Sequence, residues 1–208
     1  MDTFAEIADE RRGLADLVSG LTPEQLATQS PCDAWTVRDV VGHLVVPLEV
    51  GMPRFALAML RARGNFDRAN DRQARLQARR PVAELVEVLR RKAGSRFTPP
   101  GMGPEAPLTD LLVHGLDIRR PLGLARDLPP ERLRTALSFA ASTPLGGAVT
   151  RDTLSDLRFA ADDLDWAHGS GPAVTGPAEA LLLAVTGRTA ALGQLDGDGG
   201  TILRSRLT

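Results

Sequence analysis

Two short stretches carry residues of the types that bind metal ions. The first, Trp35-Thr-Val-Arg-Asp-Val-Val-Gly-His-Leu, contains His43, and the second, Asp110-Leu-Leu-Val-His-Gly-Leu-Asp, has a carboxylate four residues before His114. Both stretches are typical of helices, so this spacing places Asp110 and His114 on adjacent turns of one helical face. If the helix of His43 packs beside that face, two imidazoles and one carboxylate meet and leave a fourth position for water or substrate. Catalytic zinc sites have this arrangement.

The same residues also have a structural interpretation. A histidine beside an apolar helical face is commonly a hydrogen-bonded structural residue, and Asp110, His114 and Asp117 could form a solvated face opposite the leucines of their helix. Two of the three histidines in the chain lie in these stretches, which favours the metal site. The third, His168, lies in a Gly-rich turn and is predicted to be a surface or loop residue.

Composition narrows the class of protein. The chain has 208 residues and a formal net charge of -1, so no global charge favours nucleic acid or anionic membranes. A single cysteine, Cys32, excludes an internal disulfide. The N-terminus lacks a signal-peptide pattern, and even the longest apolar runs, such as Ala180 to Val185, are too short to span a bilayer. These features predict a cytoplasmic protein without a membrane partner.

One stretch has a local excess of positive charge. Residues 61–96 contain 11 basic side chains and four acidic ones. Such an excess can mark a nucleic-acid face, but interleaved aromatic residues and a DNA-binding pattern are missing here. We therefore predict a solvated helical face, which could attract an anionic thiol or carboxylate substrate.

The elements that must position the candidate ligands are mostly helices. Apolar residues recur at helical spacing through the first two thirds of the chain, and Thr36 with Asp39 predicts a capping box at the start of the helix that bears His43. Helices of this length with short loops predict an antiparallel four-helix bundle over residues 1–150. From residue 151 to 208 the pattern changes to short alternating runs around one apolar helix, which predicts a small α+β module of the order ββαβ.

Three segments together resemble the mycothiol-dependent maleylpyruvate isomerase family of actinobacteria, part of the DinB-like superfamily. The first begins at Ser30-Pro-Cys and ends at His-Leu44, the second runs from Asp110 to Gly123, and the third extends from Asp163 to Arg188. The resemblance spans nearly the whole chain in the correct order. It implies a DinB-like metal-binding bundle followed by a small C-terminal domain related to sterol-carrier folds.

The resemblance also implies roles for individual residues. His43, Asp110 and His114 match the metal ligands of the family, in which zinc is the usual ion. Asp117 matches an acidic residue that is important for activity, and Arg188 matches an arginine contributed by the second domain. One ligand departs from the family pattern, because Asp110 stands where the isomerase has a glutamate, and its side chain is one methylene shorter.

The activity implied is that of a metal-dependent isomerase or S-transferase that uses mycothiol as cosubstrate on a small electrophile. Asp117 could orient a substrate group or move a proton, and Arg188 could hold a substrate carboxylate. Cys32 is a poorer candidate for the nucleophile than the mycothiol thiol. A cysteine in a Pro-containing loop is more commonly a small buried residue than an activated thiol. The alternatives are a non-enzymatic protein that binds a small ligand in the same cleft and a regulatory protein whose metal only braces the bundle.

Overall fold

The computed structural model describes residues 2–32, 35–143 and 149–207. The chain divides into two compact units, Met1–Ala125 and Arg126–Thr208. The first is built of helices, whereas the second combines helices with a three-stranded sheet. The predicted fold class, mostly α with a small α+β module at the C-terminus, is confirmed.

Seven α-helices lie in the described residues of the N-terminal unit. They are α1 (Thr3–Ser19), α2 (Pro23–Ala27), α3 (Val37–Glu49), α4 (Met52–Arg61), α5 (Phe66–Ala78), α6 (Val82–Arg91) and α7 (Glu105–Arg119). Helix α3 packs against α5, α6 and α7, and α1 packs against α6 and α7. Large aliphatic side chains from three of these helices are fully buried between them: Ile7 and Leu14 of α1, Leu85 and Leu89 of α6, and Leu108, Leu112 and Ile118 of α7.

The start of α3 is fixed by the predicted capping box. The backbone N–H of Thr36 donates to the carboxylate of Asp39 at 3.0 Å, and the backbone N–H of Asp39 donates to Thr36 Oγ1 at 3.2 Å. These two bonds satisfy donors that a helix N-terminus otherwise leaves unpaired. Because the helix starts at a defined residue, the direction in which His43 points is also defined.

Helices α3 and α5 approach each other closely at Gly42. A Cβ atom at this residue would lie 2.4 Å from the carbonyl oxygen of Ala74 and 2.8 Å from the backbone nitrogen of Ala78. Both alanines are buried, so small residues on both helices allow the short distance. The close approach brings the polar residues of α5 next to the site described below.

The basic stretch 61–96 lies mainly on α5 and α6. Several of its arginines pair with carboxylates, among them Arg75 with Asp71 at 2.9 Å and Arg91 with Glu49 at 3.2 Å. All four of these side chains are between a quarter and about half exposed. Partly exposed ion pairs of this kind are expected on a solvated helical face, as predicted for this stretch.

The described residues of the C-terminal unit include α8 (Pro130–Ser142), α9 (Arg151–Leu154), β1 (Arg158–Ala161), β2 (Ala167–Gly169), β3 (Ala173–Gly176), α10 (Ala178–Val185) and α11 (Asp198–Leu207). The strand order is β2-β1-β3, with β1 antiparallel to β2 and parallel to β3. Phe159 in the central strand lies opposite His168 and Val174. Helix α10 packs on this sheet and on α8. Helix α8 belongs to the C-terminal unit, which begins at Arg126.

One predicted element of this module is wrong. The order ββαβ requires a last strand at Thr201-Ile-Leu-Arg-Ser, but this segment lies within α11, and the third strand is β3 instead. Leu203 is buried in this helix. Asp198 lies in the first turn of α11, and Arg204 and Arg206 lie in its last turn, so the charges at both ends interact favourably with the helix dipole. A short apolar run is compatible with a strand or with a helix. The charged residues on either side of this run favour the helix.

Among the described residues, no helix combines the length and the hydropathy needed to cross a bilayer.

Candidate metal centre

Three side chains from two helices of the N-terminal unit meet at one point. His43 comes from α3, and Asp110 and His114 come from α7. Asp110 Oδ1 lies 3.2 Å from Nε2 of His43 and 3.5 Å from Nε2 of His114. The two imidazole rings stand edge to face, with centroids 4.6 Å apart. The structure thus brings together the three residues that the sequence singled out as ligands.

The donor set fits a zinc ion. The three donor atoms all lie within 4.8 Å of one another, and two of the distances are 3.2 and 3.5 Å. Ligands about 2.0–2.1 Å from a tetrahedral zinc ion lie roughly 3.3–3.4 Å apart, which is close to these distances. The histidine side chains are 11% and 9% exposed and that of Asp110 is 36% exposed. The cluster is therefore mostly shielded from water but open on the side of its carboxylate.

Each histidine is held through its second ring nitrogen. Nδ1 of His114 lies 2.9 Å from Oδ2 of Asp117, and Nδ1 of His43 lies 3.2 Å from Oδ1 of Asn70. Metal-binding histidines usually have such a partner, which fixes the ring and its tautomer. Asp117 is fully buried, so the alternative of a solvated face on α7 is wrong for this residue.

Trp35 covers the two imidazoles. Its ring centroid lies 5.1 Å from that of His43 and 6.0 Å from that of His114, and its side chain is buried. The indole Nε1–H donates to Asp71 Oδ1 at 2.8 Å, so the ring is also held by a residue of α5. The sequence patterns predict no role for Trp35, Asn70 or Asp71. The first stands in the ligand motif itself, but nothing in the sequence marks the other two.

Cys32 lies beside the same centre. Its thiol forms a second group of donors with His114 and Asp117, again with all atoms within 4.8 Å of one another. The residue is half-buried, and its backbone N–H donates to Ser30 Oγ at 3.1 Å. Because both groups of donors include His114, the second group is an alternative ligand set and not a separate site.

The remaining predicted site residue lies in the C-terminal unit. Arg188 follows α10, is half-buried, and donates from Nη1 to the carbonyl oxygen of Thr186 at 2.6 Å. His168, for which a turn was predicted, lies in β2 and stacks on Trp166 with centroids 6.3 Å apart.

The electrostatics of the cluster favour an ionised carboxylate and a charged imidazole when no metal is bound. Burial raises the pKa of Asp110, but the neighbouring imidazoles of His43 and His114 outweigh burial and lower that pKa well below its usual range. Burial lowers the pKa of His114, but its contacts with Asp110 and Asp117 outweigh burial and raise the pKa to about 8. A bound cation would replace the proton on His114, since a metal ligand must be unprotonated.

The raised pKa of His114 makes the metal-free protein less stable as the pH rises. The group has a pKa of about 8 in the folded chain, against about 6.5 when unfolded. Its contribution to the free energy of unfolding is therefore complete below pH 6.5 and is lost as the pH rises through about 8. We expect urea unfolding of chelator-treated protein to show this loss. His114→Gln serves as the comparison, and a stability difference between the two proteins that stays constant across this range would contradict the prediction.

Comparisons with known proteins bear on the family and on the fold of the chain. Residues 7–107 match the family model described as the mycothiol maleylpyruvate isomerase N-terminal domain. This match includes His43 and ends just before Asp110. Two crystal structures, one of mycothiol-dependent maleylpyruvate isomerase and one of a histidine-to-alanine mutant of it, are similar to the chain with TM-scores of 0.52 and 0.53. Each alignment covers 96% of this chain and 97% of the chain in the crystal structure. The sequence identities are 14% and 15%, so the likeness shows the fold. No curated protein sequence matches the chain significantly.

Proposed function

We propose that this chain, which belongs through its N-terminal unit to the mycothiol-dependent maleylpyruvate isomerase family, is a zinc-dependent enzyme in which a mycothiol thiol attacks a small electrophilic substrate. The observation that carries the proposal is the meeting of His43, Asp110 and His114, in which the carboxylate oxygen lies about as far from each ring nitrogen as two tetrahedral zinc ligands lie from each other. Three protein ligands leave one position for the thiol. A site of four protein ligands would instead suit a structural metal.

The metal explains why the thiol would react at neutral pH. When bound, zinc supplies a Lewis acid that lowers the pKa of a coordinated thiol, so that the nucleophilic thiolate is available. The protein contributes two neutral imidazoles and one carboxylate, which leave a net positive charge at the centre. A second carboxylate ligand would cancel that charge and weaken the effect on the thiol.

The residues around the ligands orient the imidazole rings, limit the access of water and hold the substrate. Asp117 is fully buried and bonded to His114, and we propose that it holds that ring in the tautomer whose Nε2 is free. The Trp35 ring packs against both imidazoles, and we propose that it keeps water from one side of the centre. We propose that Arg188 holds a carboxylate of the substrate by paired hydrogen bonds, as the family resemblance implies.

The two candidate reactions differ in the fate of the sulfur atom. In an isomerase the thiolate adds to a double bond conjugated with a carbonyl group, and the electron pair moves to the carbonyl oxygen. Rotation about the new single bond follows, and elimination restores the double bond and releases the thiolate. In an S-transferase the new carbon–sulfur bond persists, and a proton adds to the neighbouring carbon and takes up the electron pair held as the enolate. The first reaction consumes no thiol, whereas the second consumes one thiol per product.

Removal and return of the metal tests the proposal. We expect chelator-treated protein to lose its activity on maleylpyruvate or on a related electrophile in the presence of mycothiol. Zinc restores the activity and magnesium does not, because imidazole nitrogens are poor ligands for magnesium. Free thiol measured during turnover separates isomerase from transferase. Stoichiometric zinc without turnover of the electrophiles would contradict an enzymatic role and favour a ligand-binding or regulatory protein.

A further inference from the structure

Helix α5 contacts the centre through two consecutive residues. Asn70 lies 3.2 Å from Nδ1 of His43, and Asp71 accepts the indole N–H of Trp35 at 2.8 Å. The close packing at Gly42 holds α5 against α3, the helix that carries His43. Neither residue is a metal ligand, and both act on rings that lie at the centre.

The chemistry at Asn70 depends on which ring nitrogen of His43 carries a proton. Nε2 faces Asp110 and must be unprotonated to bind a metal ion, so the proton of the neutral ring must lie on Nδ1. A buried N–H needs an acceptor, and the side-chain oxygen of Asn70 stands at the required place. An amide accepts this proton without adding a charge, so the net charge of the centre is unchanged.

We propose that Asn70 is a positioning residue of the metal centre, which selects the tautomer of His43 that leaves Nε2 free for the ion. The inference rests on the proposed zinc site and adds to it a residue outside the ligand motifs. Asp71 supports the same arrangement, since it fixes Trp35 over the ring that Asn70 orients.

Zinc affinity tests the inference without reference to turnover. The probe is zinc alone, titrated in competition with a chromophoric chelator into full-length protein. We expect Asn70→Leu and Asn70→Ala to weaken zinc binding by about 10- to 100-fold, the range typical of lost partners of metal-binding histidines. Asn70→Asp keeps an acceptor for Nδ1 and should stay within about threefold of the wild type. The visible spectrum of bound cobalt should change in the first two variants and be kept in the third.

A matched control lies one turn further along the helix. Gln73 is half-buried like Asn70, and Gln73→Leu should bind zinc as the wild type does. Wild-type affinity in both Asn70→Leu and Asn70→Ala would overturn the inference and leave the proposed function intact. Equal weakening by Gln73→Leu would also overturn it, because the effect would then belong to the whole helix. Failure of the wild type to bind zinc would overturn both the inference and the proposed function.

Discussion

His114→Ala should reduce the zinc content of the purified protein from one ion per chain to none. The substitution removes one of three protein donors, and the remaining pair, His43 and Asp110, comes from two different helices. If the lost ligand contributes about 4 kcal/mol to the free energy of zinc binding, its removal weakens binding roughly 1,000-fold. The thiol-dependent activity should disappear with the metal. Elemental analysis of the protein and the chelator competition assay measure the effect directly.

Two further variants make this result specific. His43→Ala should have the same effect, since His43 supplies the imidazole from α3. His168→Ala should retain full zinc content, because His168 lies in β2 of the C-terminal unit and stacks on Trp166. Truncation of His114 also leaves the buried Asp117 without its ring partner, so circular dichroism must show that the variant is folded. Folded His114→Ala with a full complement of zinc would contradict the assignment of this residue as a ligand.

Local features of the sequence predicted the helices that bear the candidate ligands. The four-residue spacing of Asp110 and His114 puts them on one face of α7, and the capping box at Thr36 marks where α3 begins. Both features depend only on residues within one helix turn of each other. The sequence therefore predicted each half of the candidate site, whereas the approach of α3 to α7 depends on packing between distant segments.

The partners of the ligands could not be predicted in this way. Asn70 and Asp71 lie in a polar stretch whose only buried neighbours on α5 are alanines, so the usual apolar stripe is missing. Their role arises because α5 packs closely on α3, and the sequence shows that packing only through Gly42 and small alanines. The misassigned strand at 201–205 has a related cause, because a run of two or three apolar residues lacks a period long enough to separate helix from strand.

The close packing of α3 on α5 leads to a second large effect. Gly42→Ala should lower the free energy of unfolding of the N-terminal unit by about 2 kcal/mol. An added Cβ would lie 2.4 Å from the carbonyl oxygen of Ala74 and 2.8 Å from the backbone nitrogen of Ala78, so the two helices would have to move apart. Overpacking of this kind costs about 3 kcal/mol. The better helix propensity of alanine returns only about 1 kcal/mol, so the steric cost wins.

Gly13→Ala is the matched control, because it makes the same substitution inside α1, where an added Cβ has no atom within 4 Å. Only the propensity gain applies there, so this variant should be stabilised by up to about 1 kcal/mol. Urea unfolding in a Trp166→Phe background follows the N-terminal unit, since Trp35 is then the only tryptophan. Movement of α5 also carries Asn70 and Asp71 away from His43 and Trp35, so Gly42→Ala should bind zinc more weakly even where it is folded. Equal stability of the two alanine variants would mean that the helices can separate at Gly42 without cost, and the positioning of His43 by α5 would then lose its structural basis.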